Sequence, residues 1–292
     1  MADVVMPNGW IGPNEAEREL ASSSTPPEEF RAYTGTPPER VQLWRAIRAI
    51  RGDFPPATQE TGDCVSWATR MAVITTAAVE IERGDKERLV DLFPPFFYGS
   101  QRVFVGRGRL RSAPGSLGVW ARDAIKAYGS LEWTANWTYS GAVADSWGVF
   151  GPPQETRDQA KPFVMEHSAR IQTIEQMVSA IASGYAIVVC ASQGFEPTPD
   201  RTGLLPPSSR PWNHATCAWG YDLDRQEVEF VNSWGDLHGR VQDRYDTRET
   251  LPRGSFRIRF QDAAKMLADG DSWAFSNYRG FPPRESKSWV MI

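Results

Sequence analysis

Apolar residues recur at helical spacing along the first half of the chain. The spacing predicts a helix over 39–51, a longer and almost wholly buried helix from 64 to about 83, and an amphipathic helix over 116–128. The third has the clearest pattern, because its apolar positions follow the spacing of one helix face. Ser116 can cap its start, and Gly129 follows its end.

The period changes in the second half of the chain. Residues 130–170 are rich in Trp, Gly and Pro and are predicted to be irregular, and a further helix is predicted over 174–183. Strand-like patterns lie at 185–191, 214–221, 227–234, 255–260 and 271–278, with a short helix at 261–267. This segregation predicts an α+β fold, with a helical lobe over about 39–170 packed on an antiparallel β lobe over about 171–292. A cleft between two such lobes is a natural place for a functional site.

The N-terminal residues 1–38 differ in composition from the rest. They are rich in Pro, Ser, Glu and Gly, which predicts an extended arm that precedes the main domain at 39–292. Either the arm is a flexible tail, or it docks on a partner or covers a cleft. Its possible anchors are Trp10, Ile11, Phe30 and Tyr33. An ordered arm of this kind would suit a component of a large assembly, such as a virion.

Composition and charge exclude several classes of protein. The 292 residues include 32 Lys and Arg and 36 Asp and Glu, so the formal net charge is −4 and no overall basic character indicates nucleic-acid binding. No apolar run is long enough for a membrane span, and the N-terminus lacks the pattern of a signal peptide. Three cysteines without a CxxC pair, and three histidines, predict neither a disulfide framework nor a metal site. We therefore expect no metal or other cofactor and a cytoplasmic or virion-associated protein.

Three short segments carry candidate chemistry. Cys64 follows Gly62 at the start of a predicted helix, where the helix dipole favours a thiolate. His214 begins one predicted strand, and Asn232 lies at the end of the next. An imidazole beside the thiol would complete an ion pair, and an amide on its far side would fix the imidazole tautomer. Trp234 can then shield the contact between His214 and Asn232 from water.

These segments resemble those of the papain-like cysteine peptidases. GDCVSWA at 62–68 is similar to the GSCWAFA motif of that family, NHATCAWGYD at 213–222 to its His-containing strand, and FVNSWGDLHG at 230–239 to its NSWG motif. The order Cys, His, Asn is also the same. The resemblance covers roughly residues 53–278 and implies the papain-like fold and hydrolysis of peptide bonds in a protein or peptide substrate.

The resemblance also implies residue roles. Cys64 would be the nucleophile, His214 its proton acceptor, Asn232 the group that orients His214, and Gln59 an oxyanion donor. The substrate-binding backbone would come from Gly115 and Ser116, with Trp234 beside the site. These are the implied site residues, and no metal is required.

The sequence departs from the family pattern in three places. Gln59 lies five residues before Cys64, where the family usually has six, and Val65 replaces a tryptophan. His238 replaces the second tryptophan of the NSWG segment, and it is predicted to lie on the surface or in a loop. A different register would place Ser66 at the nucleophile position.

Other readings of the same residues remain open. Cys64 can be a small buried core residue, and the chain can be a papain-like scaffold with a structural or assembly role and little or no activity. A transglutaminase-like enzyme or a cell-wall amidase would usually have Asp or a second His in the position of Asn232. The Pro-rich segment 192–213 is either a surface loop or a cover for the cleft.

Overall fold

The computed structural model describes residues 7–14, 17, 35–52, 57–85, 88–165, 167–246 and 248–276. Its α-helices are α1 (Trp44–Arg51), α2 (Cys64–Glu82), α3 (Pro94–Gly99), α4 (Gly118–Tyr128), α5 (Gly141–Phe150), α6 (Gln154–Ala160), α7 (Ile174–Ala182) and α8 (Phe260–Ala268). A π-helical segment, Ser100–Val105, continues α3. The strands are β1 (Arg40–Gln42), β2 (His167–Arg170), β3 (Ile187–Ala191), β4 (Gly194–Phe195), β5 (Pro207–Ser208), β6 (His214–Asp222), β7 (Glu227–Val231), β8 (Ser255–Arg259) and β9 (Trp273–Ser276).

Seven of these strands form one antiparallel sheet in the order β2-β9-β3-β6-β7-β8, with β1 also paired to β6. Strand β6 is buried along its whole length, as expected for the middle of a sheet covered on both faces. It pairs with β3 from Ile187↔Ala218 to Ala191↔His214, so His214 lies at the end of the paired region. Gly220 allows β1 to approach, because a Cβ there would lie 2.8 Å from the Val41 carbonyl oxygen.

Helix α2 is buried on nearly every side and packs against β6 and β3. Such a helix must satisfy its polar side chains internally. Thr69 and Thr75 donate their hydroxyl groups to carbonyls one turn earlier, and Thr76 accepts the backbone N–H of Ala186 at 3.2 Å. Arg70 forms two hydrogen bonds with Asp91, at 2.7 and 2.8 Å. The predicted long buried helix is therefore confirmed, and its first residue is Cys64.

Two helix starts differ from their predictions. Residues 40–42 form β1 rather than the first turn of a helix over 39–51, because they pair with residues 220–222 at the end of β6. Helix α4 begins at Gly118, and Ser116 does not cap it. Instead, the Asp271 side chain accepts the Gly118 and Val119 N–H groups, each at 2.7 Å. A residue distant in sequence thus supplies this helix cap.

The region over 130–170 is not irregular, because it contains α5, α6 and β2. The Ser140 hydroxyl caps α5 by accepting the Val143 N–H at 3.2 Å. The tryptophans of this region pack around Phe93, with ring centroids 5.5 to 6.1 Å apart. This aromatic packing, which includes Trp147 of α5, stabilises a short helix that the composition did not indicate.

The α+β fold class is confirmed, because the described residues combine α-helices with an antiparallel sheet. Most of the predicted arm over 1–38, including Phe30 and Tyr33, lies outside the described residues, as do residues 277–292. None of the described helices combines the length and apolar character that crossing a membrane requires.

Candidate active site

The Cys64 thiol lies fully buried at the N-terminus of α2. Backbone groups of Ala215, Val65 and Gly9 lie near its sulfur. Ala215 follows His214 directly, so β6 brings the predicted imidazole to the region of the thiol. Gly9 comes from the N-terminal arm, more than 50 positions earlier in the chain. The thiol therefore lies where helix α2, strand β6 and the arm meet.

His214 and Asn232 are joined by a buried hydrogen bond, with 2.8 Å between His214 Nε2 and Asn232 Oδ1. Oδ1 also accepts the Ser233 backbone N–H at 2.7 Å, which identifies this atom as the oxygen. Because an amide oxygen only accepts, Nε2 of His214 must carry the proton. His214 Nδ1 is buried and has no hydrogen-bond partner, so in this tautomer it is a free proton acceptor.

Trp234 covers the histidine. Its ring stacks on the His214 ring, with centroids 3.9 Å apart and planes inclined by 19°. Trp212 packs edge-on against Trp234 at 4.9 Å. Burial lowers the pKa of His214 to about 3 and raises the pKa of Cys64 to about 12. In the state that the structure shows, the thiol and the imidazole are therefore both neutral.

Gln59 is held by Ser233, the residue that follows Asn232. Its side-chain oxygen accepts the Ser233 hydroxyl at 2.5 Å, and its backbone N–H donates to the Ser233 carbonyl at 2.8 Å. The Gln59 side-chain amide donates to the carbonyls of Thr61 and Pro7, each at 2.9 Å. Pro7 belongs to the arm, so Gln59 already donates a hydrogen bond to a peptide carbonyl in the cleft.

Gly115 and Ser116 have different roles in the structure. The Gly115 N–H donates to the Tyr98 hydroxyl at 3.0 Å, and its carbonyl accepts from Arg102 at 2.7 Å, so both backbone groups are used within the helical lobe. The backbone of Ser116 instead faces the arm. Its N–H donates to the Gly9 carbonyl at 2.7 Å, and its carbonyl accepts the Ile11 N–H at 3.2 Å.

Residues 7–11, which we call the cleft segment, lie across the site in an extended conformation. The segment forms a parallel bridge between Trp10 and Ser116. The N–H groups of Gly9 and Trp10 donate to the Asn213 carbonyl at 3.2 and 2.9 Å. The Trp10 side chain is buried, and its indole N–H donates to Asp271 at 2.9 Å. Part of the predicted arm thus covers the cleft of its own chain.

Two solved structures resemble this arrangement of elements. Xylellain, a cysteine protease from Xylella fastidiosa, superposes with a TM-score of 0.60 over 96% of this chain and 94% of its own, at 15% sequence identity. The digestive procathepsin L 3 of Tenebrio molitor larval midgut gives a TM-score of 0.55 over 92% and 83%, also at 15% identity. The chain has a papain-like fold. The sequence itself matches no protein-family model and no curated protein.

On this papain-like fold, the sequence reasoning missed three features. His238 is buried rather than exposed, and its Nε2 lies 3.0 Å from Asn232 Nδ2. Asp271 holds both the start of α4 and the cleft segment. The place where the arm docks was also left open. The replacement of the family tryptophan by His238 was the one sequence signal for the first feature, whereas nothing local indicates the other two.

The Pro-rich segment 192–213 packs beside this site. It contains β4 and β5, and the Trp212 indole N–H donates to the Phe195 carbonyl at 3.1 Å. The carbonyl of Pro197 lies 3.1 Å from His238 Nδ1. The segment therefore supports the residues behind Asn232, while the cleft segment lies over the thiol.

Proposed function

We propose that this protein is a cysteine peptidase that uses Cys64, His214 and Asn232, and that the cleft segment holds it in a latent state. The observation that carries this proposal is the extended polypeptide lying across Cys64. Its backbone is bound on one side by Ser116 and on the other by the Asn213 carbonyl. A cleft that binds an extended backbone in this way is suited to a peptide substrate.

The arrangement supports acyl transfer to water. Cys64 attacks a peptide carbonyl as His214 Nδ1 takes the thiol proton, and His214 then donates that proton to the leaving amine. A water molecule, deprotonated by His214, hydrolyses the thioester and restores the thiol. Asn232 keeps the proton of His214 on Nε2, so that Nδ1 faces the reaction as an acceptor.

Two donors are suited to stabilise the oxyanion. The Cys64 N–H lies in the first turn of α2, where N–H groups have no intrahelical acceptor. The Gln59 side-chain amide already donates to the Pro7 carbonyl. One donor of this kind is typically worth about 3–4 kcal/mol of the barrier.

The cleft segment occupies the site through hydrogen bonds of its own backbone. The Gly9 N–H donates to the Asn213 carbonyl at 3.2 Å, and the Gly9 carbonyl accepts the Ser116 N–H at 2.7 Å. Both backbone groups of Gly9 are therefore engaged by the walls of the cleft, where the backbone of a substrate would bind. We infer that the segment blocks the cleft and must leave before a substrate enters.

Gly9 provides a way to release the segment. A Cβ at Gly9 would lie 2.2 Å from the Gly62 carbonyl oxygen, closer than real Cβ contacts, so Gly9→Ala should expel the segment without altering the folded domain. Asn8→Ala is the matched control, because the Asn8 side chain next to it is exposed. We call Gly9→Ala the release variant.

The test is labelling by an epoxide thiol inhibitor, followed by intact mass and peptide mapping. We expect Cys64 to be labelled rapidly and at a single site in the release variant. Labelling should persist at about pH 5, because a thiolate–imidazolium pair keeps the sulfur ionised, and it should be lost when His214→Ala is added. Labelling that needs alkaline pH and ignores His214 would contradict an activated thiol. A papain-like scaffold protein with a structural role and little or no activity would then be the better account. The assembly partners of the arm and a cytoplasmic or virion location are not addressed by this test and stay predictions.

A further inference from the structure

The side chain of Asn232 is bound at both ends of its amide. Its Oδ1 accepts from the Ser233 backbone and from His214 Nε2, at 2.7 and 2.8 Å. Its Nδ2 therefore points the other way, where His238 Nε2 lies 3.0 Å distant. An amide nitrogen only donates, so His238 Nε2 must be an unprotonated acceptor.

The second nitrogen of His238 determines its tautomer independently. His238 Nδ1 lies 3.1 Å from the Pro197 carbonyl oxygen, which can only accept a hydrogen bond. Nδ1 must therefore carry the proton, which leaves Nε2 free to accept from Asn232. The proton positions are thus consistent along one chain of contacts from Pro197 through His238 and Asn232 to His214.

Packing holds the His238 ring in this orientation. The ring stacks on Trp212, with centroids 6.0 Å apart and planes inclined by 21°, and it contacts Phe256 at 5.0 Å. The side chain is 3% exposed. Burial lowers the pKa of His238 to about 4, so the ring stays neutral near physiological pH and keeps an acceptor nitrogen.

We propose that His238 is a positioning residue, which holds the Asn232 amide in the orientation that keeps the proton of His214 on Nε2. The proposal rests on the proposed function only for its effect on turnover. The claim that His238 determines the tautomer of His214 does not depend on that function, because the tautomer is measurable without a substrate.

Loss of the acceptor at 238 has a definite consequence. The buried Nδ2 group of Asn232 would then keep an unpaired N–H, which is costly in a dry site. Rotation of the amide would relieve that cost but would place N–H groups opposite His214 Nε2. His214 would then move its proton to Nδ1, which removes the free acceptor that the mechanism needs.

Two substitutions separate hydrogen bonding from packing. Gln at 238 can accept from Asn232 and donate to the Pro197 carbonyl, whereas Leu fills space but does neither. His167→Leu is the matched control, because His167 lies on β2, at the far edge of the sheet from Asn232. It also helps to assign the three histidine signals of the chain.

The first readout is the ring tautomer in the full chain, from nitrogen–proton correlation spectra of isotope-labelled histidine. We expect His214 in the Nε2–H form in the unsubstituted protein, in His238→Gln and in the His167→Leu control. His238→Leu should give the Nδ1–H form or a mixture. If His214 stays in the Nε2–H form in His238→Leu, the positioning role is wrong.

The second readout is peptide hydrolysis in the release-variant background. His238→Leu should lower kcat by at least about tenfold with KM little changed, and His238→Gln should restore most of the turnover. Equal kcat values in the two variants would overturn the proposal. Absence of hydrolysis even with His238 intact would count against the peptidase function, whereas the tautomer spectra would still decide the role of His238.

Discussion

The indole N–H of Trp10 donates to the Asp271 side chain at 2.9 Å, across 261 positions of the chain. The same carboxyl group accepts the first two N–H groups of α4, those of Gly118 and Val119. The cleft segment is therefore attached to the group that caps the helix beside the site. The buried Asp271 carboxyl group therefore both holds the cleft segment and caps α4.

We predict that Trp10→Phe partly releases the cleft segment. The change removes one buried hydrogen bond to a carboxyl group, worth about 1.5–3 kcal/mol, and keeps an aromatic ring in place. The rate of thiol labelling at Cys64 should rise about tenfold, and Trp10→Ala should raise it further. Ile11→Ala is the control, because the Ile11 side chain is 40% exposed. Equal labelling rates in all four proteins would show that Trp10 does not hold the segment.

Asn232→Ala should lower turnover more than it weakens substrate binding. Without the amide oxygen, the proton of His214 is free to move to Nδ1, so the reacting imidazole lacks its acceptor. In the release-variant background we expect kcat to fall by at least about tenfold while KM changes little. Asn136→Ala provides a control at an exposed asparagine. An unchanged kcat would mean that another group orients His214.

Arg102 should affect substrate binding indirectly, because it fixes Gly115, which precedes the Ser116 backbone that binds the cleft segment. Its guanidinium donates to the Gly115 and Arg111 carbonyls, both at 2.7 Å, and to the Gly148 carbonyl at 2.9 Å. Lysine cannot reproduce this set of directions. Arg102→Lys in the release variant should therefore raise KM several-fold with a smaller effect on kcat, whereas the exposed Arg107→Lys should change neither. A loss confined to kcat would contradict this role.

Asp63 predicts a pH dependence of stability. This carboxyl precedes Cys64 and is fully buried, and burial raises its pKa to about 8 from an ordinary value of 3.8. Its Oδ2 accepts the Tyr139 hydroxyl at 3.1 Å. The folded state thus keeps a proton that the unfolded state has lost, so stability decreases as the pH rises towards about 8. The slope for one proton is at most about 1.4 kcal/mol per pH unit.

The informative range lies between about pH 6.5 and 8. The lowered pKa values of His214 and His238 reduce stability only as the pH falls below the ordinary histidine value, so they do not interfere there. Urea unfolding should show the decrease in the unsubstituted protein, a flatter profile in Asp63→Asn, and no flattening in Asp158→Asn, where the aspartate is exposed. Parallel profiles for all three proteins would refute the buried, protonated Asp63.

The parts of the fold that were predicted are those encoded locally. Helix α2 and strands β3, β6, β7 and β8 carry their own hydrophobic periods, and the structure has them near the predicted positions. By contrast, α5 depends on the packing of Trp147 against Phe93, and the cap of α4 comes from Asp271. Contacts between residues far apart in the sequence cannot be predicted from a local sequence pattern.

The same distinction applies to the site. Cys64, His214 and Asn232 stand in recognisable motifs, whereas Gln59 lies one position away from the family spacing. The structure joins His214 to Asn232 and Gln59 to Ser233. The roles of these residues stay predictions. The docking of the arm depends on backbone hydrogen bonds and on the missing Cβ of Gly9, which leave almost no trace in residue type.

Hydrolysis of a diverse peptide mixture by the release variant tests the central claim most directly. The account predicts that Gly9→Ala cleaves peptides, that the unsubstituted protein and Asn8→Ala do so at least about tenfold more slowly, and that adding Cys64→Ala to Gly9→Ala abolishes cleavage. A release variant whose Cys64 labels rapidly but which cleaves no peptide would contradict the account, because the cleft would then be open and inactive.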